Sequence, residues 1–147
     1  MNYFILLKYK LFNLTCLLTE FKFCIMKILV AEDDQLMVKM LEFRLKKDGH
    51  DIVITHDGRE AVAKLDEFKP DLVITDIMMP YLSGLEVVSA VKKKYPTGTP
   101  VVILSGMGQE NVVLEAFQLG ADDYMTKPFS PNELSVRVRR FDLSLVK

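Results

Sequence analysis

The sequence predicts an α/β protein in which five parallel strands alternate with five helices. Short apolar runs recur from Met26 onward, and each precedes a segment with helical or helix-capping features. The runs VVIL and LVIT are continuously apolar, as expected of central strands covered on both faces. Strands that alternate with helices in short units form a parallel sheet with helices on both sides.

The elements follow in a regular order. The predicted strands are residues 27–31, 51–55, 71–75, 101–104 and 123–126. The predicted helices are residues 36–45, 58–68, 83–95, 109–119 and a last helix from 131 toward 145. Gly49 and Gly120 are typical residues after a helix, and Ser83 is a suitable N-cap. The sequence SPNE at residues 130–133 predicts a capping box with proline at the first helical position.

Composition limits the class of protein. A chain of 147 residues, half of them apolar, fits one globular domain with a sizeable core. The net charge of −1 gives no basic field for nucleic acid or an anionic membrane. Cys16 and Cys24 match no zinc or redox spacing.

The first 25 residues differ from the rest. They are rich in Leu and Phe, but four charged residues interrupt them, which disfavours a membrane span. A basic start and a cleavage site are missing, which disfavours a signal peptide. We therefore expect residues 1–25 to be an apolar extension ahead of the functional start at Met26, and residues 26–147 to form the domain. Because the predicted last helix reaches almost to Lys147, we expect no output domain after it.

Acidic and polar residues follow four of the predicted strands. They are Glu32, Asp33, Asp34, Asp76, Ser105 and Lys127. Because parallel strands end at one edge of the sheet, these side chains should gather in one crevice, where ligands of such folds bind. A lone aspartate there would be a turn residue or a helix cap, and residues 32–34 could also cap the first helix.

Clustered carboxylates repel one another, and a hard divalent cation relieves the repulsion. An all-oxygen site suits magnesium, manganese or calcium, and magnesium commonly shares its shell with a phosphate. A lysine and a hydroxyl supply a charge and a donor to phosphoryl oxygens. The set predicts a phosphoryl group held on or near Asp76, since a carboxylate can accept one.

Four motifs between Met26 and Phe141 resemble one family. They are ILVAEDD, DLVITDIMMPYLSGLE, PVVILSG and GADDYMTKPF. In this order and spacing they resemble the receiver domain of bacterial two-component response regulators, of the stand-alone, chemotaxis-regulator kind. The resemblance implies a flavodoxin-like, doubly wound sheet with strand order 2-1-3-4-5. It also implies that Asp76 accepts a phosphoryl group from a sensor histidine kinase or a histidine phosphotransfer protein.

The resemblance implies a magnesium site, with manganese as an alternative. Asp33 matches the direct ligand, and Glu32 matches the second acidic position, which often acts through water. Asp76 and the backbone carbonyl of Met78 complete the set, and Asp34 is an accessory residue beside it.

The resemblance also implies a switch. Ser105 matches the hydroxyl that moves toward the phosphoryl group, and Tyr124 the aromatic residue that fills the vacated space. Lys127 matches the phosphoryl-binding lysine, Pro128 the cis-proline position, and Gly106 leaves room for the donor's imidazole. A downstream protein would bind the face formed by the fourth helix, fifth strand and fifth helix, and a phosphorylation-dependent homodimer through that face stays open.

Two methionines bear on the lifetime of the phosphorylated state. In the family, the side chains two residues after the acceptor and after the switch hydroxyl flank the path of hydrolytic water. These are Met78 and Met107 here. Because neither side chain orients water strongly, we expect slow self-dephosphorylation and no other enzymatic activity.

We expect a cytoplasmic switch that binds neither nucleic acid nor a membrane directly. One alternative is a fragment of a DNA-binding transcriptional regulator. A magnesium-dependent phosphohydrolase using Asp76 as nucleophile is weaker, because Met78 stands where such enzymes place a second aspartate. A scaffold without phosphorylation would be expected to lack Asp33, Asp76 or Lys127. A flavin module would carry a hydroxyl-rich loop after the first strand, where this chain is acidic.

Overall fold

The computed structural model describes residues 25–145, with side chains through residue 142, so the expectation for residues 1–24 lies outside the described part. The strands are Lys27–Ala31 (β1), Asp51–Thr55 (β2), Leu72–Asp76 (β3), Val101–Ser105 (β4) and Asp123–Thr126 (β5). The helices are Gln35–Lys47 (α1), Gly58–Phe68 (α2), Gly84–Lys94 (α3), Glu110–Gln118 (α4) and Pro131–Leu145 (α5). The predicted alternation of five strands and five helices is confirmed.

The five strands form one parallel sheet in the order β2-β1-β3-β4-β5. This is the predicted flavodoxin-like arrangement. β1 and β3 are neighbours, with Ala31 opposite Thr75, and Asp76 at the end of β3 lies opposite Leu104 of β4. The residues that follow β1 and end β3 therefore meet at the same edge of the sheet.

The core lies in two layers, one on each face of the sheet. On one face, alternate strand residues such as Leu29, Val73 and Ile103 pack against α2, α3 and α4. On the other face, the intervening residues, such as Val30 and Ile74, pack against α1 and α5. Because both faces are covered, β3 and β4 are buried along their whole length, which explains their continuous apolar runs.

Side chains fix the starts of most helices. Asp34 and Asp57 accept hydrogen bonds from backbone N–H groups in the first turns of α1 and α2. Ser83 is the N-cap of α3, as predicted, and it also forms a full capping box with Glu86. Gln109, at the corresponding position of α4, makes no side-chain capping bond.

Several element bounds and one histidine differ from the sequence prediction. β3 and β4 end one residue later than predicted, at Asp76 and Ser105, because the hydrogen-bonded ladder continues to the sheet edge, and β3 also begins one residue later. The bounds of α1, α3 and α4 differ from their predicted ranges by one or two residues. His50, expected to be an ordinary loop or surface residue, lies in a loop but is buried, and its Nδ1 accepts the Met26 N–H at 3.4 Å. Within residues 25–145, no helix has the length and apolar character that crossing a membrane requires.

Candidate functional site

Three carboxylates meet where β1 and β3 end. Glu32 directly follows β1, Asp33 comes next, and Asp76 is the last residue of β3. One oxygen from each carboxylate lies within 4.8 Å of the others. Glu32 is fully buried, Asp76 is 7% exposed and Asp33 is exposed. The cluster therefore has a buried floor and one carboxylate open to solvent.

Lys127 reaches this cluster from the loop after β5. Its Nζ lies 2.7 Å from a carboxylate oxygen of Glu32 and 3.2 Å from a carboxylate oxygen of Asp76. Its backbone N–H donates to the Ser105 carbonyl at 2.7 Å, which ties the loop to the end of β4. The structure thus brings Lys127 together with two of the three carboxylates.

Burial dominates the electrostatics of the cluster. It raises the pKa of Glu32 and the pKa of Asp76 above their ordinary values, although bonds to Lys127 oppose the shift. Burial also lowers the pKa of Lys127, but its contacts with both carboxylates outweigh this and raise that pKa overall. Three acidic groups share one lysine, so the ionised cluster carries excess negative charge in a partly dry setting.

These features fit a hard divalent cation. The donors are carboxylate oxygens, close enough to share one ion, and the buried pair is under-neutralised by a single lysine. Oxygen ligands and open coordination positions toward solvent are the setting in which magnesium keeps waters and binds phosphate. The geometry can therefore hold a cation beside a phosphoryl group at Asp76.

The hydroxyl residue Ser105 ends β4, and the aromatic residue Tyr124 lies in the neighbouring strand β5. Ser105 is buried, and its Oγ donates to the Met125 carbonyl at 3.5 Å. The Tyr124 ring is 40% exposed and meets Phe117 edge-on, with ring centroids 5.9 Å apart. Neither residue contacts the carboxylate cluster through a described hydrogen bond or ion pair, so Ser105 and Tyr124 would have to move to take part in it.

Met78 and Met107 lie in the two loops that follow β3 and β4, and they are 65% and 83% exposed. Met78 lines a shallow surface depression together with Asp33 and the residues that follow it in the loop. The loop after β3 therefore borders the acidic cluster directly.

The accessory residues have other partners. The Asp34 carboxylate caps α1 by accepting the Met37 N–H at 2.7 Å, whereas the Asp34 N–H donates to a Glu32 carboxylate oxygen of the cluster at 3.0 Å. The peptide bond between Lys127 and Pro128 is cis. The N–H of Gly106 donates to the Gln109 side chain at 2.5 Å.

Sequence reasoning missed two contacts made by the loops that follow β3 and β4. One is the bond from the Gly106 N–H to the Gln109 side chain. The sequence signal for it was glutamine, a poor N-cap residue, at the start of a helix. The other is the stacking of the Arg59 guanidinium on the Tyr81 ring, at 3.8 Å from the ring centroid. No pattern in the sequence predicts that contact, because the two residues belong to different elements.

Comparisons with known proteins agree with this geometry. The family model for the response regulator receiver domain matches residues 28–139. The chain is 40% identical over 113 residues to the alkaline phosphatase synthesis transcriptional regulatory protein PhoP of Bacillus subtilis (strain 168). That match covers 77% of this chain and 47% of PhoP, so the chain spans about half the length of this relative.

Solved structures show the same fold over most of the chain. A putative response regulator from Chloroflexus aurantiacus J-10-fl has a TM-score of 0.75 at 29% identity, covering 81% of this chain and 98% of its own. The chemotaxis response regulator CheY4 of Vibrio cholerae has a TM-score of 0.73 at 29% identity, covering 80% and 98%. The chain belongs to the response regulator receiver domain family. It is therefore a signalling module of phosphorelay systems, as the motifs predicted.

Proposed function

We propose that Asp76 is the phosphoryl acceptor of this receiver domain and that its modification is the signal. One observation carries the proposal. Asp76 is a nearly buried carboxylate at the end of the central strand, with two further carboxylates and the Lys127 ammonium around it. A strand end holds its side chain rigidly, which suits in-line attack on phosphorus.

The donor is a phosphohistidine on a sensor histidine kinase or a histidine phosphotransfer protein. A carboxylate oxygen of Asp76 attacks the phosphorus, and the new P–O bond forms as the P–N bond breaks. The bonding pair returns to the ring nitrogen, so the histidine leaves as neutral imidazole when its other nitrogen carries a proton. The product is a mixed anhydride of Asp76, and the Lys127 ammonium would pair with its phosphoryl oxygens.

The metal ligands proposed are Glu32, Asp33, Asp76 and the backbone carbonyl of Met78. Mg²⁺ is the ion of choice, with Mn²⁺ as an alternative, because all four donors are oxygens. A bound ion would neutralise charge on the phosphoryl group during transfer. Asp33 is the exposed member, so it is the ligand through which the ion would enter.

The switch would run through β4 and β5. Phosphorylation adds acceptor oxygens near the end of β4, and the Ser105 hydroxyl would exchange the Met125 carbonyl for one of them. Its weak 3.5 Å bond favours such an exchange. Tyr124 would then turn inward, altering the face of α4, β5 and α5 to which a downstream protein, or a second copy of the chain, would bind.

The lifetime of the phosphorylated state would depend on Met78 and Met107. Both side chains are exposed beside the site and offer only weak acceptors to water. We therefore propose slow self-dephosphorylation, with no other catalytic activity. Replacing Met78 by Asn and Met107 by Glu should shorten the lifetime in a decay time-course.

The match to PhoP supports a second candidate function. PhoP is a transcriptional regulatory protein, and this chain matches about half of its length. In that case the receiver would control a DNA-binding partner protein, or a DNA-binding domain of the same protein, rather than act as a stand-alone module. In either case the domain proposed extends from Met26, which is fully buried, through α5, acts in the cytoplasm, and contacts neither nucleic acid nor a membrane itself.

Phosphoryl transfer tests the proposal. The full chain is mixed with Mg²⁺ and acetyl phosphate, and the intact mass is recorded for the wild type, Asp76→Asn and the exposed control Asp66→Asn. We expect one phosphoryl adduct on the wild type and the control, and none on Asp76→Asn or after chelation. An adduct that persists on Asp76→Asn, or no adduct on folded wild type, would overturn the proposal.

A further inference from the structure

The loop between β3 and α3 contains a turn that bulky residues avoid. The Leu82 N–H donates to the Pro80 carbonyl at 2.9 Å, which closes a three-residue γ-turn around Tyr81. Tyr81 has φ of +67°. A γ-turn with positive φ at its centre is rare and strained, and a tyrosine in this region of backbone space needs compensating contacts.

The compensating contact comes from α2. The Arg59 guanidinium lies 3.8 Å from the centroid of the Tyr81 ring, while the ring itself is 72% exposed to solvent. Among the described residues this cation–π distance is shorter than that of Arg140 over Phe141, at 5.0 Å, and that of Lys27 over Phe68, at 5.6 Å. Attraction between a cation and a ring face favours the stacked geometry and so favours the turn that presents the ring.

The start of α2 is itself fixed against this loop. Asp57 caps the helix by accepting the Glu60 N–H at 2.8 Å, which orients the first turn. A Cβ added at Gly58 would overlap the Leu82 carbonyl and Cβ, so the two backbones are in close contact. Gly58 and Arg59 therefore hold two consecutive residues of the loop, Leu82 and Tyr81.

The held turn is part of the same short loop as the metal-site carbonyl. Met78 precedes Tyr81 by three residues, and the base of the loop is closed by the Gly84 N–H, which donates to the Ile77 carbonyl at 2.9 Å. A loop closed at its base and held at its tip has little freedom left at Met78. Release of the tip would restore that freedom.

We propose that Arg59 and Tyr81 are positioning residues for the metal site. Their stacking holds the β3–α3 loop in the shape that presents the Met78 carbonyl beside Asp33 and Asp76. This inference rests on the proposed function, because it assigns the loop to the metal site described above. A merely structural pair would change stability and metal affinity together, whereas a positioning pair changes metal affinity alone.

The test uses the full chain, with Mg²⁺ alone as the titrant. Calorimetry gives the Mg²⁺ affinity, and thermal unfolding without metal gives the stability. The variants are Tyr81→Asn, Arg59→Gln, the conservative Tyr81→Phe and the remote cation–π control Lys27→Gln. Asparagine tolerates positive φ, so Tyr81→Asn removes the ring without adding strain.

We expect Tyr81→Asn and Arg59→Gln each to weaken Mg²⁺ binding about two- to fivefold, the ratio that an exposed cation–π contact supports. The double variant should lose no more Mg²⁺ affinity than the single variant that binds Mg²⁺ more weakly, because both substitutions remove the same contact. Tyr81→Phe and Lys27→Gln should bind as the wild type does, and Tyr81→Asn should unfold at or above the wild-type temperature. At saturating Mg²⁺, phosphorylation by acetyl phosphate should return to near the wild-type rate.

Unchanged Mg²⁺ affinity in both Tyr81→Asn and Arg59→Gln would overturn the positioning role and leave the metal site intact. Affinity that falls only in proportion to stability would overturn it as well. A wild-type chain that binds no Mg²⁺ would instead refute the metal site of the proposed function, and this inference with it.

Discussion

The two loops that follow the central strands are built in opposite ways. The β3–α3 loop, residues 77–83, is tied at its base, held at its tip by Arg59, and followed by a capping box at Ser83. The β4–α4 loop, residues 106–109, contains two glycines, one of them Gly108 with φ of +80°. It leads into α4, whose N-cap residue makes no side-chain capping bond.

The difference follows the chemistry that each loop serves. The β3–α3 loop borders the carboxylates, and it contains Met78, whose carbonyl is the proposed metal ligand that would have to stay in place. The β4–α4 loop follows Ser105, which must leave the Met125 carbonyl if it is to reach a phosphoryl group. Because the β4–α4 loop has few fixed contacts, that movement would cost little free energy. Under the proposed function, one edge of the sheet would combine a rigid binding side with a side that is free to respond.

The largest expected difference comes from adding one methyl group at Gly84, directly after the β3–α3 loop, and at Gly106, in the β4–α4 loop. A Cβ at Gly84 would overlap backbone atoms of Asp76 and Ile77, which cannot shift without distorting the end of β3. We expect Gly84→Ala to cost about 2–4 kcal/mol in urea unfolding. A Cβ at Gly106 would lie 3.5 Å from the Gln109 side chain, an ordinary contact. Gly106→Ala should change stability by less than about 0.5 kcal/mol, and equal costs at the two positions would refute the contrast.

Mg²⁺ should act on the rigid side. At one hundred times its dissociation constant, the ion should stabilise the chain by about 2.7 kcal/mol, because it binds only the folded state. Thermal unfolding with Mg²⁺ and with a chelator measures the gain. Asp33→Asn, which removes the exposed ligand, should abolish most of it. A gain that survives in Asp33→Asn would place the ion elsewhere.

Changing the helix caps should have effects of opposite sign. Ser83→Ala removes the Oγ that accepts the Glu86 N–H and donates to the Glu86 carboxylate, and it should cost about 1 kcal/mol although the N–H of residue 83 still donates to Glu86. Gln109→Asp supplies α4 with a capping carboxylate at its positive end and should add about 0.5–1 kcal/mol. Chemical denaturation measures both. If Gln109→Asp is destabilising, the bond from Gly106 to Gln109 is a more important anchor of this loop than the contrast allows.

The smallest effect should come from the opposite edge of the sheet, which serves as a control for both loops. Burial lowers the pKa of His50 below 6.5, although Asp142 and Asp48 oppose the shift and Arg139 reinforces it. Below pH 6.5 the unfolded chain therefore binds more protons at His50 than the folded chain does. The stability present above that pH is lost as the pH falls toward the folded-state pKa of His50.

Thermal unfolding between pH 7 and 5.5 measures this loss. His50→Asn keeps an acceptor for the Met26 N–H but cannot be protonated, so its stability should depend less on pH in that range. An unchanged pH dependence in His50→Asn would assign the effect to other groups.

Much of the fold could be predicted because the spacing of apolar and polar residues along the chain identifies its strands and helices. The bounds of β1, β2, β5 and α2 agree with their predicted ranges, since a buried parallel strand and an amphipathic helix each leave a clear pattern. The meeting of Glu32, Asp33 and Asp76 was predictable for a different reason. Parallel topology alone brings the ends of adjacent strands to one edge.

The remaining features depend on contacts that no local pattern records. The stacking of Arg59 on Tyr81 joins α2 to a loop after β3, and the positive φ of Tyr81 depends on that tertiary setting. The burial of His50 depends on how the start of β1 covers it. The return of the Gln109 side chain to the Gly106 N–H requires the loop conformation itself.

The most direct test of the contrast is amide hydrogen exchange of the full chain, read by mass spectrometry. The Mg²⁺-bound chain is compared before and after phosphorylation by acetyl phosphate. We expect exchange to change in peptides covering residues 105–124 and to stay constant in peptides covering residues 77–83. Exchange that changes in residues 77–83 while residues 105–124 stay constant would contradict a rigid binding side and a responsive β4–α4 side.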